Sequence, residues 1–245
     1  MKAKRPQRPA IVVPSGALDR RAIAADLRAL AARDPDFAAA LEQVGPPPSR
    51  ERPPGFASLM RIIVGQQVSA AAASGIWTRL GAALPVIEAP HVAALDVDAL
   101  RACGFSRQKA AYALGLAAAV AEGRLRFDEI HGLEDEPAIA ALTALKGIGR
   151  WTAEIYLLFS LRRRDIWPAG DLAVAVGVQK LKRLRQRPTP ERLRRLAEPW
   201  RPYRSAAALF MWHYYSADRA PATKTAAEPG ASGAAKPLST KGLPV

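Results

Sequence analysis

The sequence contains a single cysteine, Cys103, among 245 residues. One cysteine excludes an intramolecular disulfide and any four-cysteine zinc or iron–sulfur site. The three histidines, His91, His131 and His213, have no metal-ligand spacing. No apolar run is long enough to span a bilayer, and no secretory segment follows Met1. These absences predict a protein without a metal site that works in a reducing cytoplasm and not in a membrane.

Acidic residues are also in short supply. The chain has 22 Asp and Glu residues against 36 Lys and Arg residues, which gives a formal net charge of +14. A basic surface attracts phosphates and speeds the encounter with them, so the charge points to a polyanionic partner. An Arg-rich composition with a basic tail would produce the same net charge without such a partner. Charge alone therefore narrows the possible functions without selecting one.

Alternating runs of Val, Ile and Thr are scarce, and aromatic residues make up only 7% of the chain. A large sheet is therefore not expected. Ala, Leu and Arg are abundant and favour helix, so we predict an all-α fold. Apolar periodicity and helix-breaking residues place helices at 17–32, 35–44, 56–84, 92–102, 106–122, 136–145, 150–161, 171–183, 190–197 and 201–216, with a break in the third near Gly65 or Ser74 and Gly75.

The two ends of the chain differ in composition from the middle. Residues 1–14 are basic and rich in proline, and we predict a flexible arm there. Residues 218–245 hold Pro, Gly, Ala, Ser and Lys with little to bury, and we predict a disordered tail. Residues 15–217 are predicted to form one all-α unit with a cleft between two helical lobes.

A glycine hairpin is the most informative local pattern. Two helical segments within 140–161 flank Lys146, Gly147, Ile148 and Gly149. The glycines let the chain reverse and expose backbone N–H groups, which can bind a phosphate together with the next helix N-terminus. Ile148 is expected to point inward and lock the two helices. An ordinary turn between two helices would have the same sequence. The pattern by itself therefore does not decide between a phosphate-binding hairpin and a simple turn.

The segments around the hairpin add a resemblance. Trp151-Thr152-Ala153 follows it, and Trp167-Pro168-Ala169-Gly170-Asp171 comes after an Arg-rich stop. This order resembles the helix-hairpin-helix (HhH-GPD) DNA glycosylase superfamily, and within it the alkyladenine, or DNA-3-methyladenine, glycosylase II group. The resemblance spans about residues 55–215. It rests on four segments in the expected order: Gly65–Ser69, Gly104–Ser106 with Lys109-Ala110, Lys146–Ala153, and Trp200–Ser205 running into Met211-Trp212.

That resemblance implies a damage-specific DNA repair enzyme in a compact form, because too few residues precede Phe56 for the N-terminal β-containing domain of larger members. Its partner would be double-stranded DNA with damaged bases, bound by a monomer associated with a bacterial nucleoid. No cofactor would be required, and the hairpin carbonyls can hold a monovalent cation.

By the resemblance, Asp171 matches the essential aspartate of the family. Cleavage of an N-glycosidic bond develops positive charge on the sugar, which a fixed carboxylate stabilises. The same carboxylate can orient or deprotonate the attacking water. Asp is also a preferred helix N-cap, so a purely structural role for Asp171 is the competing interpretation, and both roles can hold together.

The remaining site residues also follow from the resemblance. Bifunctional relatives carry a nucleophilic lysine at the position of Trp151, which predicts a monofunctional enzyme that leaves an intact abasic site. Aromatic faces attract a cationic alkylated base that has been flipped from the duplex. The predicted walls of the base pocket are Trp151, Trp212, Tyr156 and Phe56. The predicted contacts to the DNA backbone are Lys146, Gly147, Gly149 and Thr152. The predicted wedge, which fills the gap in the duplex, is Gln67.

Three alternatives stay open at this point. A helix-hairpin-helix glycosylase for oxidised or mismatched bases is the first, although the absent lysine and cysteine set speak against it. A non-catalytic hairpin module that only contacts phosphates is the second, and it would lose nothing on Asp171→Asn. A basic helical scaffold without a DNA role is the third, and it leaves the hairpin and the Trp-rich segments unexplained.

Overall fold

The structure is a computed structural model that describes residues 16–217. The predicted arm at 1–14 and the predicted tail at 218–245 lie outside this range. Every regular element within residues 16–217 is a helix, which confirms the predicted all-α fold. The α-helices, α1 to α13 in chain order, are Arg20–Ala31, Pro35–Val44, Phe56–Gly65, Ala70–Ala83, Ala89–Ala93, Val97–Ala102, Arg107–Ala121, Phe127–Gly132, Asp135–Thr143, Arg150–Phe159, Leu172–Leu181, Pro190–Leu196 and Arg204–Ala217, and a 3-10 helix spans Glu198–Trp200.

Side-chain caps fix the start of many of these helices. A capping oxygen accepts a backbone N–H that would otherwise have no partner in the first turn. Residues with such a bond are Asp19, Asp34, Ser69, Asp96, Ser106, Asp171 and Thr189. The proline-rich segment between α2 and α3 stops helix, as the sequence predicts. None of the helices in the described part of the chain is long and apolar enough to cross a bilayer.

The helices pack as two lobes. The first lobe brings together both ends of the described chain, because α1 and α2 pack on α13 while α11 packs on α13, α12 and α2. In the second lobe α3 packs on α4, α7 and α10, and α7 in turn packs on α5 and α6. Helix α10 also packs on α9, its partner across the glycine hairpin. Two lobes with the chain passing between them agree with the predicted architecture.

A close helix crossing in the first lobe sets the position of one predicted site residue. A Cβ added to Gly177 on α11 would lie 2.9 Å from the backbone oxygen of Met211 on α13. Only glycine allows the two backbones to approach so closely. The next residue of α13, Trp212, donates a hydrogen bond to Asp171, the N-cap of α11.

Several boundaries differ from the predictions. The predicted 56–84 helix breaks after Gly65, at the first of the two expected positions, and resumes at Ala70. The predicted 92–102 helix is two shorter ones, Ala89–Ala93 and Val97–Ala102. Helix Phe127–Gly132 was not predicted at all. Helices of five or six residues contain too few turns to show apolar periodicity, so sequence patterns do not mark them.

Candidate active site

Asp171 lies where the loop after α10 turns into α11, and its side chain is almost fully buried, with 6% of its surface exposed. Its Oδ1 accepts hydrogen bonds from the backbone N–H groups of Ala173 and Val174, at 2.9 and 3.0 Å. The turn before it is closed by a bond from the Asp171 N–H to the Pro168 oxygen, at 2.9 Å. Asp171 therefore is a helix N-cap, and this role positions its carboxylate rigidly.

Two indole groups meet at the same carboxylate. Trp151 of α10 donates its Nε1–H to Oδ2 at 2.9 Å, and Trp212 of α13 donates to Oδ1 at 3.0 Å. One tryptophan comes from the second lobe and the other from the first, so Asp171 lies at the seam between them. With the two cap bonds, Oδ1 accepts three hydrogen bonds and Oδ2 accepts one. A carboxylate oxygen has about two lone-pair directions, so the free acceptor position is on Oδ2.

The four aromatic residues predicted to line a pocket are not equivalent. Trp151 is partly buried, so it keeps some accessible surface, and its indole N–H is bonded to Asp171. Trp212 is buried, and its ring stacks on that of Phe159 with 5.4 Å between centroids. Phe56, the first residue of α3, is also buried. Trp151 is therefore the wall with surface to offer to a ligand.

The structure does not bring Tyr156 to this group. Its side chain is fully buried, and its hydroxyl accepts a hydrogen bond from the Gly55 N–H at 2.8 Å. The same hydroxyl lies 3.2 Å from Nε2 of His131, and the ring packs on Phe127. Burial raises the pKa of Tyr156 to about 12. A ring without exposed surface presents no face to a base, so the predicted pocket role of Tyr156 is corrected to a core role.

The hairpin between α9 and α10 matches its predicted shape in most respects. Gly147 has φ +92°, and a Cβ there would overlap the ring of Tyr112, so this position requires glycine. Ile148 is buried, as expected. Gly149 has an ordinary φ of −85°, and its conformation does not require glycine. No side chain caps the N-terminus of α10 within the described residues, which leaves its first backbone N–H groups available for an anion.

The loop between α3 and α4 reaches across to this hairpin. Gln66 donates from Nε2 to the Gly147 oxygen at 3.1 Å and to Oγ1 of Thr152 at 3.0 Å. The side chain of Thr152, which is predicted to contact DNA, is buried and its hydroxyl is bonded to Gln66. Gln67, the predicted wedge, is exposed and has a left-handed φ of +56°. Gln66 lies in the Gly65–Ser69 segment, but no sequence pattern predicts this role for it.

Two adjoining cavities of about 710 and 450 Å³ run from this loop along α7 and the hairpin. They share Gln108, Tyr112, Leu145 and Lys146. We call them together the basic groove. Among the described residues that line it there is no Asp or Glu, while its cationic residues are Arg107, Lys109, Arg124 and Lys146. A groove lined in this way favours an anionic ligand.

An ion cluster supports the first turn of α10. Arg150 donates to Glu136 of α9 at 2.5 Å and, through Nε, to Glu154 one turn further along α10 at 2.9 Å. The bond to Glu136 raises the pKa of Arg150. Glu154 is buried, and burial raises its pKa to about 7 in spite of the neighbouring guanidinium. The cluster ties the two helices of the hairpin together.

The raised pKa of Glu154 predicts a pH dependence of stability. Between its ordinary value of 4.5 and about 7 the folded state holds a proton that the unfolded state has released. The contribution is therefore present below pH 4.5 and is lost as the pH rises through 7, by on the order of 3 kcal/mol. Denaturant unfolding from pH 4.5 to 8 should show this loss in wild type and not in Glu154→Gln. Parallel curves for the two proteins would contradict the assignment.

No group of three or more His, Cys, Asp or Glu side chains within residues 16–217 is arranged to hold a metal ion. The candidate site therefore consists of four parts. They are the buried Asp171 carboxylate with its two indole donors, the glycine hairpin with the uncapped N-terminus of α10, the exposed Gln67 with its left-handed backbone, and the basic groove.

The chain is similar to known proteins in both sequence and fold. Residues 60–202 match the family described as HhH-GPD superfamily base excision DNA repair protein. DNA-3-methyladenine glycosylase 1 of Schizosaccharomyces pombe is 35% identical over 170 residues, which cover 67% of this chain and 74% of that protein.

Two solved structures are similar throughout most of their length. One is a Schizosaccharomyces pombe 3-methyladenine DNA glycosylase in complex with abasic DNA, with a TM-score of 0.70, 31% identity, and coverage of 77% of this chain and 95% of that one. The other is a DNA-3-methyladenine glycosidase from Bacillus halodurans, with a TM-score of 0.71, 31% identity, and coverage of 79% and 90%.

Proposed function

This chain belongs to the HhH-GPD superfamily of base excision DNA repair proteins, and from that membership we propose that it is a monofunctional glycosylase for alkylated bases. It would bind damaged double-stranded DNA, flip the modified nucleotide and hydrolyse its N-glycosidic bond. The observation that carries the proposal is the Asp171 carboxylate, held by two backbone and two indole donors with one acceptor position left on Oδ2.

Asp171 acts on the sugar in this mechanism. As the bond to the base breaks, positive charge develops at the anomeric carbon, and a fixed carboxylate beside it lowers the barrier. Oδ2 is the oxygen with a free lone pair, so it is the atom that faces the sugar or accepts a proton from the attacking water. The indole and backbone donors hold it still, so that no reorganisation is needed during the reaction.

Trp151 is the residue that we assign to the base. Its indole N–H is bonded to the carboxylate and part of its surface is accessible. An aromatic face attracts the positive charge of an N3- or N7-alkylated purine. Stacking of this kind selects for charge without requiring a hydrogen-bond pattern. Trp212 contributes chiefly through its bond to Asp171, and Phe56 supports α3 from within the core. An indole is not an amine nucleophile, so no Schiff base forms at this position.

The hairpin and the basic groove are the proposed DNA contacts. The free N–H groups at the start of α10, together with those of Gly147 and Gly149, suit one phosphate of the lesion strand. The exposed Lys146 lies beside them and lines the groove. Thr152 would contribute through its backbone, since its hydroxyl is bonded to Gln66. Residues 15–217 would work as one unit, because donors from both lobes meet at Asp171.

Metal-independent catalysis is part of the proposal. A monovalent cation at the hairpin carbonyls fits the residues present, because the Leu145 and Gly147 oxygens each accept one hydrogen bond and keep a second lone pair. Such an ion would reinforce phosphate binding without taking part in the hydrolysis. We further propose that the protein acts as a monomer and that it works at the bacterial nucleoid.

Base release from methylated duplex DNA tests the function. Wild-type protein, in buffer with EDTA, should release methylated purines and leave the strand unbroken until the abasic site is cleaved by alkali. Release of 8-oxoguanine or of mismatched bases, with no methylpurine released, would favour the glycosylase for other lesions. Tight duplex binding without release of any base would favour the non-catalytic hairpin module.

The basic groove predicts a change in the salt dependence of binding. Arg107→Ala and Lys146→Ala should each lower the slope of log K against log salt concentration by about 1, because each removes one phosphate contact. Arg28→Ala on α1 removes the same charge from a helix that packs in the first lobe, and it should leave the slope unchanged. Equal slopes for all four proteins, measured by fluorescence anisotropy, would place the DNA elsewhere.

A further inference from the structure

The loop between α3 and α4 has an unusual backbone for its sequence. Gln67 is exposed and has φ +56°, a left-handed conformation in which the Cβ of an L-residue is crowded. Non-glycine residues remain in this region only when the surrounding structure imposes it. The contacts that impose it must come from the neighbours of Gln67, because its own side chain points to solvent.

Two neighbouring side chains supply those contacts. Lys109 of α7 donates from Nζ to the backbone oxygen of Val64 at 2.7 Å and to the backbone oxygen of Gln66. These bonds close the C-terminus of α3, where the carbonyls lack helical partners. From the other side, the Gln66 amide spans to the Gly147 oxygen and to Thr152. The loop is thereby fixed to α7 and to the hairpin at once.

We propose that Lys109 and Gln66 are positioning residues that hold Gln67 in place to fill the gap left by the flipped nucleotide. The inference rests on the proposed function, because a wedge is needed only where a base leaves the duplex. The Lys109 ammonium is committed to two carbonyls, so it acts through the loop and not as a phosphate contact. Gln66 links the wedge to the hairpin, so that phosphate binding and gap filling keep a fixed spacing.

A fluorescence experiment detects whether Gln67 enters the gap in the duplex, and it does not require catalysis. 2-Aminopurine is placed opposite a tetrahydrofuran abasic analogue in a duplex, and its emission is recorded on saturation with each protein. Wild type and Lys109→Arg should produce the same change, since arginine keeps donors for the two carbonyls. Lys109→Met and Gln66→Met should lose most of it, as should Gln67→Ala. Arg28→Met serves as the matched control and should behave as wild type.

Single-turnover base release separates wedge positioning from a general defect. The same lesion is presented paired in a duplex and in a one-nucleotide bulge, where little unstacking is required. Lys109→Met and Gln66→Met should be slower on the paired lesion by on the order of 10- to 100-fold, as expected for a misplaced group, and near wild type on the bulged one. Lys109→Arg should restore the paired rate.

Two results would overturn the inference: equal loss on both substrates, or a wild-type 2-aminopurine signal from Lys109→Met. Failure of the proposed function looks different, because wild type would then release no base from either substrate. The emission change would still show whether Lys109 and Gln66 control the position of Gln67.

Discussion

Replacing Asp171 by asparagine should lower the single-turnover rate of base release by about 1,000-fold or more. Asparagine keeps an oxygen for the N–H groups of Ala173 and Val174, so the start of α11 is preserved. It removes the negative charge, and its amide faces the Trp151 N–H with a donor in place of an acceptor. The cap is kept but one indole N–H loses its acceptor, so the free energy of unfolding should fall by about 1 to 3 kcal/mol, while catalysis is lost.

Asp19→Asn is the matched control for this prediction. Asp19 caps α1 by accepting from the Ala22 N–H at 2.7 Å, and it lies in a helix that makes no part of the site. The same chemical change there should leave base release intact. If Asp171→Asn retained wild-type activity, Asp171 would be a helix cap only, and the catalytic assignment would fail.

Gly147→Ala should destabilise the protein by about 3 kcal/mol or more and lower the melting temperature by roughly 6 to 12 °C. Two effects add at this position. The φ of +92° disfavours any residue with a Cβ, and the added methyl would overlap the Tyr112 ring of α7. The hairpin would have to move away from α7, so duplex binding should weaken as well.

The neighbouring glycine supplies the control. Gly149 has an ordinary φ, and a Cβ there meets no heavy atom within 4 Å, so Gly149→Ala should cost less than about 1 kcal/mol. Removing the ring in Gly147→Ala/Tyr112→Ala should recover part of the loss, and a double-mutant cycle gives its size. Gly147 and Gly149 variants of equal stability would contradict the geometry of the hairpin.

Local patterns in the sequence were sufficient to predict the helical fold and the hairpin. Apolar periodicity, proline-rich breaks and capping residues each act within a few positions of one another, so a sequence displays them directly. Gly147 illustrates this, since the sequence alone predicts a chain reversal that uses glycine, and its φ is +92°. Gly149 was interpreted in the same way, although its φ shows that the second glycine is not needed for the turn.

Tyr156 shows where pattern matching failed. Trp151 and Tyr156 are five residues apart on α10, which separates their side chains by about 140° around the helix axis. They cannot both face one cleft, and Tyr156 instead packs in the core. Helix geometry applied to the sequence would have found this, because position 155 and not 156 shares a face with Trp151.

Other features of the site depend on distant contacts that no sequence pattern encodes. The bond between Trp212 and Asp171 joins residues 41 positions apart, and that between Gln66 and Thr152 joins residues 86 apart. Lys109 belongs to one of the segments that carry the resemblance, but its two carbonyl partners lie near the end of α3 and meet it only because α3 packs on α7. Such contacts depend on the tertiary fold, so local sequence patterns do not predict them.

The two indole N–H groups that meet at Asp171 also make the site observable by NMR without a label on the DNA. The chain has five tryptophans, so a ¹⁵N–¹H spectrum contains at most five indole cross-peaks. Those of Trp151 and Trp212 report on the two oxygens of one carboxylate separately. Titration with abasic duplex should shift both cross-peaks over the same range of DNA concentration. The shift should be larger for Trp151, because its acceptor Oδ2 has the free lone pair.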